Sequence, residues 1–528
     1  MHTVSGLFQR LERLNDIGVS LSAERDIETL LEKILLAAKE ITRADGGTLY
    51  RPSADGQRLQ FKIVRTDSLG LAFGGSSGEA LTDSFTDLVL YHPDGRPNAS
   101  MVAAQAALSG RTINIADAYA ADDFDFSGTR RFDALTGYRS RSFLTVPMKD
   151  HAGELIGVLQ LINALDPDSG EVGEFTRADQ KLAESLASQA AIALSNRQLI
   201  EQLETLFEAF IKMINLAIDE KSPHTGGHCQ RVPELTMMLA DAVDAIDEGP
   251  LADFRLTDKD RYELRIAALM HDCGKVTTPV HVVEKATKLQ TLFDRIALVD
   301  TRFEVLRRDA EIGKLKALAA GMAEAEAESA YRAECAQIDA DREFLRQANK
   351  GAERMRDEDL LRVQQIANAY RWRNPEGVEV PLLDADELEN LSIRAGTLTA
   401  AEREIINQHI VATIRMLEQL PWPRHLQNVP EYAGGHHERM DGKGYPKGLK
   451  RDEMSWQARM MGIADIFEAL TAKDRPYKQP MKLSEALKIM ENFRRNGHID
   501  PDLFEVFLKR QVYRRYGEAF LDAGQVDC

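Results

Sequence analysis

The chain has 528 residues, of which 44% are hydrophobic and 28% charged, a globular composition in a chain too long for one hydrophobic core. Its net charge of −18 argues against broad binding to nucleic acid or to anionic membranes, because phosphates attract lysine- and arginine-rich surfaces. The cysteines Cys229, Cys273, Cys335 and Cys528 are far apart, and the chain shows neither a secretory signal nor a membrane-spanning apolar run. We therefore expect a cytoplasmic protein of two or three domains with free thiols, without a nucleic acid polymer or a membrane as partner.

Residues 15–197 are predicted to form an α+β sensor-like module. Residues 15–45 have helical periodicity, and five later segments are typical of strands: "GTLYR", "RLQFKIV", "TINIAD", "SFLTVPMKD" and "LIGVLQLINAL". The segment "AGE" separates the last two strands as a turn. This order of helix, antiparallel strands and helix indicates an antiparallel sheet packed with helices.

The stretch "TGYRSRSFLTVPMKDHAGELIGVLQLINALDPDSGEVGEFTRADQKLAESLASQAAIALSN", residues 136–196, resembles a GAF domain, and the resemblance extends over residues 15–197. Some GAF domains that bind cyclic nucleotides carry an Asn-Lys…Phe…Asp-Glu signature. Three positions keep this signature and two depart from it: Asn163, Phe175 and Asp179 match, whereas Ala164 and Gln180 replace the Lys and the Glu. The resemblance implies either a sensor of a small ligand or a dimerisation and signal-relay module without one.

A connecting helix is predicted for residues 198–222. Six residues follow the alternating spacing of four and three that marks a coiled-coil seam: Leu199, Leu203, Leu206, Phe210, Met213 and Ala217. The helix either packs on its own domain or pairs with a second copy. Because it lies between two domains without a proline or glycine to break it, we expect a homodimer through this helix.

Residues 205–528 have mostly helical periodicity, so the C-terminal domain is predicted to be all-α. The segment from about 291 to 397 differs, because it is rich in Ala, Glu and Arg and has few large apolar residues. We expect a solvated helical insertion there, with a partner-binding arm as the alternative.

Nine of the twelve histidines lie at or beyond residue 224, and several stand beside apolar helical sequence. In "PHTGGHCQRV", His224 and His228 are four residues apart and would share one face of a helix. In "AALMHDCGKV", His271 and Asp272 end an apolar run, where a metal ion or a helix-end ion pair would compensate their burial.

Further candidates follow in the same domain: His409, His436, His437 and, inside an apolar helix, Asp465. Imidazoles and carboxylates without a cysteine cluster suit iron, manganese or zinc. Because an aspartate can bridge two ions, this set favours a di-metal hydrolytic centre.

"HDCGK" resembles the signature of HD phosphohydrolases, and "HHERMDGKGYP" is similar to the HHExxDGxGYP motif of the HD-GYP subgroup, which hydrolyses cyclic di-GMP. "IADIFEALTAKDRPYK" and "IDPDLFEVFL" also resemble that subgroup, so the resemblance runs from about 205 to 525 around the insertion. It implies seven metal ligands: His228, His271, Asp272, His409, His436, His437 and Asp465. It also implies that Asp272 bridges the ions.

The same resemblance implies residues that contact the substrate. Lys275 is expected near one phosphate, and Arg475 and Lys478 of "DRPYK" near the second. Such a local basic pocket can exist in an acidic protein, and arginine recognises phosphate with specific geometry. Tyr445 either locks the "DGKGYP" turn by packing or contacts guanine or a partner protein.

The residue four before His228 bears on the number of metal ions. In HD-GYP domains a Glu there accompanies a third metal and a Tyr accompanies two, whereas this chain has His224. We expect two ions, iron or manganese, with His224 beside them, and a three-metal centre that includes His224 as the alternative.

We therefore expect hydrolysis of cyclic di-GMP to linear pGpG, with GMP as the alternative final product, regulated by the GAF-like domain. One alternative is a receptor or scaffold that binds the dinucleotide and signals through protein contacts. Another is an enzyme for a different cyclic dinucleotide.

Overall fold

The computed structural model describes the chain except residues 1, 77, 83–84, 222–226, 352–354 and 474–479. Three predicted site residues, His224, Arg475 and Lys478, lie outside the described residues. The chain forms two compact units, Met1–Phe207 and Glu208–Cys528. In the part that the structure describes, no helix is long and apolar enough to cross a membrane.

The first unit is an antiparallel sheet with helices. Its helices are α1 (His2–Ala23), α2 (Ile27–Thr42), α3 (Val102–Ser109), α4 (Ser127–Thr136) and the start of α5 (Arg177–Lys221). Its strands are β1 (Ala44–Pro52), β2 (Arg58–Thr66), β3 (Leu71–Phe73), β4 (Leu88–Val89), β5 (Ile113–Ile115), β6 (Phe143–Lys149), β7 (Leu155–Leu165) and β8 (Val172–Gly173). The strand order is β3-β2-β1-β7-β6-β5, with β4 beside β2 and β8 beside β7, and every pairing is antiparallel. The predicted α+β fold of this unit is confirmed.

The core of the first unit lies between the sheet and helices α1, α2 and α5. The Asp26 side chain caps α2 by accepting a hydrogen bond from the backbone N–H of Thr29. The apolar face of α2 then packs with the start of α5 and the inner face of the sheet through buried side chains that include Leu31, Leu35, Leu49, Leu159, Leu186 and Ala190. This single core explains why the helical and strand-like segments of the sequence form one unit.

The three residues that match the nucleotide-binding signature have partners within this unit. Asn163 has a left-handed backbone (φ 59°), and its side-chain oxygen accepts a 2.7 Å hydrogen bond from the backbone N–H of Arg141. Phe175 is buried in the core, and Asp179 forms an ion pair with Arg10. These contacts give all three residues a structural role, and ligand binding by the unit stays a prediction.

The predicted coiled-coil seam lies on an exposed face of α5. Five of its six apolar side chains are at least half exposed: Leu199, Leu203, Leu206, Phe210 and Met213. The sixth, Ala217, is exposed as well. Since these side chains are at least half exposed or, for Ala217, exposed in the described part of the chain, they are available to a second copy, and the homodimer stays a prediction.

The second unit is largely helical, as predicted. Its helices are α6 (His228–Asp244), α7 (Asp258–Met270), α8 (Val280–Val283), α9 (Ile296–Ala319), α10 (Glu324–Asn349), α11 (Asp357–Ala369), α12 (Ala385–Leu391), α13 (Ala400–Glu418), α14 (Val429–Gly434), α15 (Trp456–Thr471), α16 (Leu483–Arg495), α17 (Pro501–Lys509) and α18 (Val512–Phe520). Short 3-10 turns occupy Gly249–Leu251, Cys273–Thr277, Arg424–Leu426 and Arg451–Glu453. A ribbon of β9 (Arg371–Arg373) and β10 (Glu379–Pro381), which the sequence reading did not predict, joins α11 to α12.

The predicted insertion has a hydrophobic core of its own. Helices α9, α10, α11 and α12 surround buried side chains that include Val299, Phe303, Ile338, Leu345, Val363 and Leu391. We expected few large apolar residues in this segment, and they are indeed sparse in the sequence. They fall on facing sides of the helices, however, so the segment folds on itself.

Two buried lysines connect the start of the insertion to its end. The ammonium group of Lys285 lies 2.7 Å from a carboxylate oxygen of Glu402 and 2.6 Å from the side-chain oxygen of Asn390. The ammonium group of Lys288 donates a 3.1 Å hydrogen bond to the carbonyl of Leu391. The ends of the insertion are therefore held at one place on the helical unit.

Candidate metal centre

The seven candidate ligands come from five helices or from the turns beside them. His228 begins α6, His271 and Asp272 follow α7, His409 lies within α13, His436 and His437 follow α14, and Asp465 lies within α15. The turn after α7 approaches α13 closely, because a Cβ atom at Gly274 would lie 2.0 Å from the carbonyl oxygen of His409. Glycine at this position therefore allows the His271-Asp272 pair to face His409.

Asp272 lies at the middle of this cluster. Its Oδ2 is 3.2 Å from Nε2 of His228 and 3.4 Å from Nε2 of His271, and its Oδ1 is 3.3 Å from Nε2 of His409. Oδ1 of Asp465 is 3.2 Å from Nε2 of His228. The carboxylate of Asp272 therefore faces histidines with both of its oxygens.

The ligand atoms form two groups that each have the spacing of a metal site. One group contains His228, His271 and Asp272. In each of the two groups the ligand atoms lie within 4.8 Å of one another. The other group is His409, His436 and His437. Since Asp272 faces His409 of the second group, it lies between the two.

Three histidines are held in the tautomer that a metal ion requires. The Nδ1 atoms of His271, His409 and His436 lie 2.7, 2.5 and 2.6 Å from the carbonyl oxygens three residues earlier. Because a carbonyl oxygen only accepts, each Nδ1 carries the proton and each Nε2 keeps its lone pair. These three Nε2 atoms therefore point into the cluster as donors for a cation.

The buried polar atoms of the cluster indicate what would occupy it. Oδ1 of Asp272 and Nε2 of His436 are buried and have no hydrogen-bond partner among the described residues. Buried acceptors of this kind are costly unless something satisfies them. A divalent cation suits this set of imidazole and carboxylate donors, so the residues present fit a metal centre.

Burial and neighbouring charges favour neutral imidazoles at His436 and His437 and an ionised carboxylate at Asp272. Burial lowers the pKa of His436 far below its usual value, and it lowers the pKa of His437 to about 4. Burial alone would raise the pKa of Asp272, but Lys275 and His271 hold that pKa well below its usual value. Asp272, His436 and His437 are therefore in the protonation states that bind metal at neutral pH.

His228 differs from the other histidines because carboxylates surround it. Burial alone would lower its pKa, but Asp272, Asp465 and Glu468 raise the pKa well above its usual value. Positive charge, carried by a proton or by a metal ion, is therefore favoured beside His228.

The cluster opens into a cavity of about 450 Å³. Its lining residues are His436, His437, Arg439, Lys443, Tyr445, Asp465, Ile466, Ala469, Leu470 and His498. Cations therefore stand beside the candidate ligands in a protein with a net charge of −18. His281 and His425, which also belong to the second unit, are exposed.

The loop that carries Tyr445 is braced from within. The buried carboxylate of Glu438 accepts hydrogen bonds of 2.7 and 2.9 Å from the backbone N–H groups of Lys447 and Leu449. The backbone of Gly444 passes so close to Glu438 that a Cβ atom would lie 2.5 Å from the Glu438 Cα. The turn that follows His436-His437 therefore has one defined path beside the cavity.

Lys275 contacts the candidate centre directly, whereas two other contacting residues were missed in the sequence. The Lys275 ammonium is 2.5 Å from Oδ2 of Asp272. Glu468 contacts His228, and Arg231 contacts Glu468. Glu468 is three residues after Asp465 and Arg231 three after His228, so helical spacing is the signal that would have found them.

Comparison with known families assigns both units. Residues 26–194 match the GAF domain family, and residues 225–370 and 379–503 both match HD domain families. The chain therefore joins a GAF domain to an HD region. The boundary between the two HD matches falls inside the insertion.

Several curated relatives are phosphodiesterases. The chain is 38% identical over 144 residues to a cyclic di-GMP phosphodiesterase of Thermotoga maritima, which covers 26% of this chain and 38% of that protein. It is 39% identical over 118 residues to the 3′3′-cGAMP-specific phosphodiesterase 3 of Vibrio cholerae, which covers 22% of this chain and 24% of that protein. The chain thus spans less than two fifths of the length of either relative.

Solved structures also align with part of this chain. The GAF domain of an Acinetobacter phosphoenolpyruvate-protein phosphotransferase aligns with 37% of this chain and 98% of its own length, at 14% identity and a TM-score of 0.27. Free methionine-R-sulfoxide reductase of Neisseria meningitidis aligns with 37% of this chain and 93% of its own length, at 18% identity and a TM-score of 0.27.

Proposed function

We propose that the second unit is an HD-GYP phosphodiesterase that uses divalent metal ions to hydrolyse cyclic di-GMP to linear pGpG, with GMP as the alternative final product. The observation that carries this proposal is Asp272, whose two oxygens face histidines of both ligand groups. A carboxylate in that position is suited to bridge two ions. The relatives that act on cyclic di-GMP and on cGAMP support a cyclic dinucleotide as substrate.

The donor set indicates which ions would be held. His228, His271 and Asp272 would hold one ion, and His409, His436 and His437 the other, with Asp465 beside His228. Imidazoles and carboxylates without a thiolate ligand suit iron or manganese. When bound, such a pair of ions supplies Lewis-acid activation of water and neutralises charge at phosphorus.

The side chains around the ligands would position the substrate. The Lys275 ammonium lies beside Asp272, where it would contact a phosphate oxygen and oppose the charge that develops there. Arg439 and Lys443 line the cavity and would contact the rest of the dinucleotide. The ring of Tyr445 would contact a guanine. Arg475 and Lys478 stay predicted contacts of the second phosphate, outside the described residues.

The number of ions follows from the described ligands and from His224. Two groups of ligands are described, which supports a two-metal centre. His224 lies outside the described residues, so its place beside two ions, or as a ligand of a third, stays a prediction. Its imidazole lacks the negative charge of a glutamate and would neutralise a third cation less well.

The remaining segments would regulate this activity. Residues 15–197 would act as a GAF sensor with a small ligand or as a relay, and residues 198–222 would pair with a second copy. The catalytic domain would run from 205 to 528. The insertion, from about 291 to 397, would be a regulatory arm or would bind a partner protein. The loop around Tyr445 would also bind a partner protein. The exposed apolar seam of α5 supports the pairing of residues 198–222 with a second copy.

A second candidate substrate is 3′3′-cGAMP, because the relative from Vibrio cholerae is specific for it. The two cyclic dinucleotides differ in one base, and the cavity presents donors from Arg439 and Lys443 that suit the acceptor edge of guanine. We therefore expect cyclic di-GMP to be preferred.

A substrate panel tests the proposal. Anaerobically purified protein is loaded with Mn²⁺ or Fe²⁺ and incubated with cyclic di-GMP, 3′3′-cGAMP or cyclic AMP, and the products are separated by chromatography. We expect linear pGpG from cyclic di-GMP and none after chelation. Metal-loaded protein that binds cyclic di-GMP without forming product would instead identify a receptor. Faster turnover of 3′3′-cGAMP would reassign the substrate.

A further inference from the structure

A buried carboxylate and an arginine stand behind His228. Oε2 of Glu468 is 2.5 Å from Nδ1 of His228, and Oε1 of Glu468 accepts a 2.8 Å hydrogen bond from Nε of Arg231. The Glu468 side chain is fully buried, and a terminal nitrogen of Arg231 lies 2.7 Å from its Oε1. Oε2 of Glu468 therefore contacts His228 and Oε1 contacts Arg231, so Glu468 connects Arg231 to the ring of His228.

This arrangement differs from that of the other histidines in the cluster. His271, His409 and His436 each donate Nδ1–H to a carbonyl oxygen three residues earlier. His228 is the first residue of α6, so no earlier carbonyl of that helix can accept its proton. The carboxylate from α15 takes that place, and unlike a carbonyl it is charged.

A carboxylate behind a metal-binding histidine has two physical effects. It fixes the proton on Nδ1, so the opposite nitrogen faces the ion, and its charge makes that nitrogen a stronger donor. The ion pair with Arg231 fixes the rotamer of Glu468 and partly balances its charge. A neutral carbonyl supplies only the first of these effects.

We propose that Glu468 and Arg231 are positioning residues that orient and strengthen His228 as a ligand, so that one ion of the pair depends on them and the other does not. This inference rests on the proposed metal centre. The ion that depends on Glu468 is the one held by His228, His271 and Asp272. The ion held by His409, His436 and His437 relies on ligands that do not contact Glu468.

Glu468→Gln tests this inference, because an amide offers only one oxygen to two donors. The control is Glu387→Gln, since Glu387 is also a buried carboxylate, 1% exposed, and its partner Arg302 lies 2.6 Å away in the insertion. Both variants lose one buried carboxylate–arginine pair of the same unit. Folding is checked by circular dichroism, and stepwise Mn²⁺ affinities are measured by competition with a chelator.

For the wild type we expect two Mn²⁺ binding steps. In Glu468→Gln one step weakens about 10- to 100-fold, the usual effect of removing such a partner, while the other step is retained. The absorption spectrum of the Co²⁺-substituted protein changes for one equivalent of metal only. Glu387→Gln keeps both affinities and the wild-type spectrum. If Glu468→Gln does not fold, Arg231→Lys replaces it, and the same single step weakens by a smaller factor.

Unchanged affinities in folded Glu468→Gln, or an equal loss at both steps, would overturn the inference. So would an equal loss in Glu387→Gln, because any buried ion pair would then have the same effect. These readouts do not involve the nucleotide. Wild-type protein that binds Mn²⁺ without hydrolysing cyclic di-GMP would therefore contradict the proposed function and leave this inference standing.

Discussion

The ring of Tyr445 stacks on the ring of His437, with their centroids 4.9 Å apart and their planes at 23°. The contact joins the glycine-rich loop to the second group of candidate ligands. Tyr445 also lines the cavity, so the same side chain contacts His437 and borders the space where the substrate would bind. Its packing role and its proposed contact with guanine are therefore compatible.

This stack predicts different effects for two substitutions. Tyr445→Phe keeps the ring and should leave kcat/KM near the wild-type value. Tyr445→Ala removes an aromatic pair worth about 0.5–1.5 kcal/mol, so we expect a loss in kcat/KM of roughly 2- to 10-fold or more, as His437 becomes less ordered. Steady-state kinetics with metal content measured in each sample checks this. A loss in Tyr445→Phe equal to that in Tyr445→Ala would show that the hydroxyl matters instead.

Replacement of Lys275 should separate substrate contact from metal binding. Lys275→Met removes an ammonium beside Asp272 but none of the seven candidate ligands. We expect the metal content to be kept and kcat/KM to fall about 100-fold, the usual effect of removing a group that stabilises transition-state charge. Lys447→Met, at an exposed position of the neighbouring loop, is the control and should be neutral. Unchanged kcat/KM in Lys275→Met would remove Lys275 from the site.

Because Lys288 is buried, we expect the free energy of unfolding to rise as the pH becomes alkaline. Burial lowers its pKa from the usual 10.5 to about 8, and no carboxylate among the described residues pairs with it. Between these two values the unfolded chain binds more protons than the folded one, so the free energy of unfolding rises with pH. Lys288→Met should be at least as stable as the wild type at pH 7 and should lack this rise, as measured by urea unfolding.

Lys285→Met is the matched control for Lys288→Met, because Lys285 is also a buried lysine but has a carboxylate partner, Glu402. It leaves Glu402 and Asn390 without their ammonium partner, so we expect a loss of about 1–3 kcal/mol in the free energy of unfolding at pH 7. Equal losses in the two variants would contradict the assignment of Lys288 as an unpaired buried cation.

The insertion should be dispensable for metal binding. None of the seven candidate ligands lies between 291 and 397, and the segment has its own hydrophobic core. Replacing it with a short Gly/Ser linker should preserve the Mn²⁺ stoichiometry, while the response to the GAF domain or to a partner changes. Loss of all bound metal in a folded variant would place the insertion within the catalytic core.

Sequence periodicity was enough to predict the classes of both units. The strands "SFLTVPMKD" and "LIGVLQLINAL" became β6 and β7, because their apolar residues are dense and a turn separates them. The ribbon of β9 and β10 was missed, since strands of three residues are too short to show a period. The core of the insertion was missed because its few large apolar residues come together only when α9 to α12 pack against one another.

The candidate ligands were found from short motifs, and the structure brings all seven of them together. Their role in binding metal stays a prediction. Motif spacing did not reveal Glu468, whose charge is hidden in an apolar helix, or the partnership with Arg231, which lies 237 positions away in the sequence. Helical spacing places Glu468 on the face of Asp465 and Arg231 on the face of His228, but the contact between the two depends on how α6 packs against α15.

The central claim is that Asp272 bridges two metal ions that hydrolyse a cyclic dinucleotide, and the most direct measurement is metal content together with turnover in Asp272→Ala. Anaerobically purified wild-type protein should contain about two ions per chain and form pGpG. Asp272→Ala should remain folded, lose most of its metal and form no product, because the neighbouring side chains cannot replace a bridging carboxylate. A folded Asp272→Ala protein with full metal content and wild-type turnover would contradict this account.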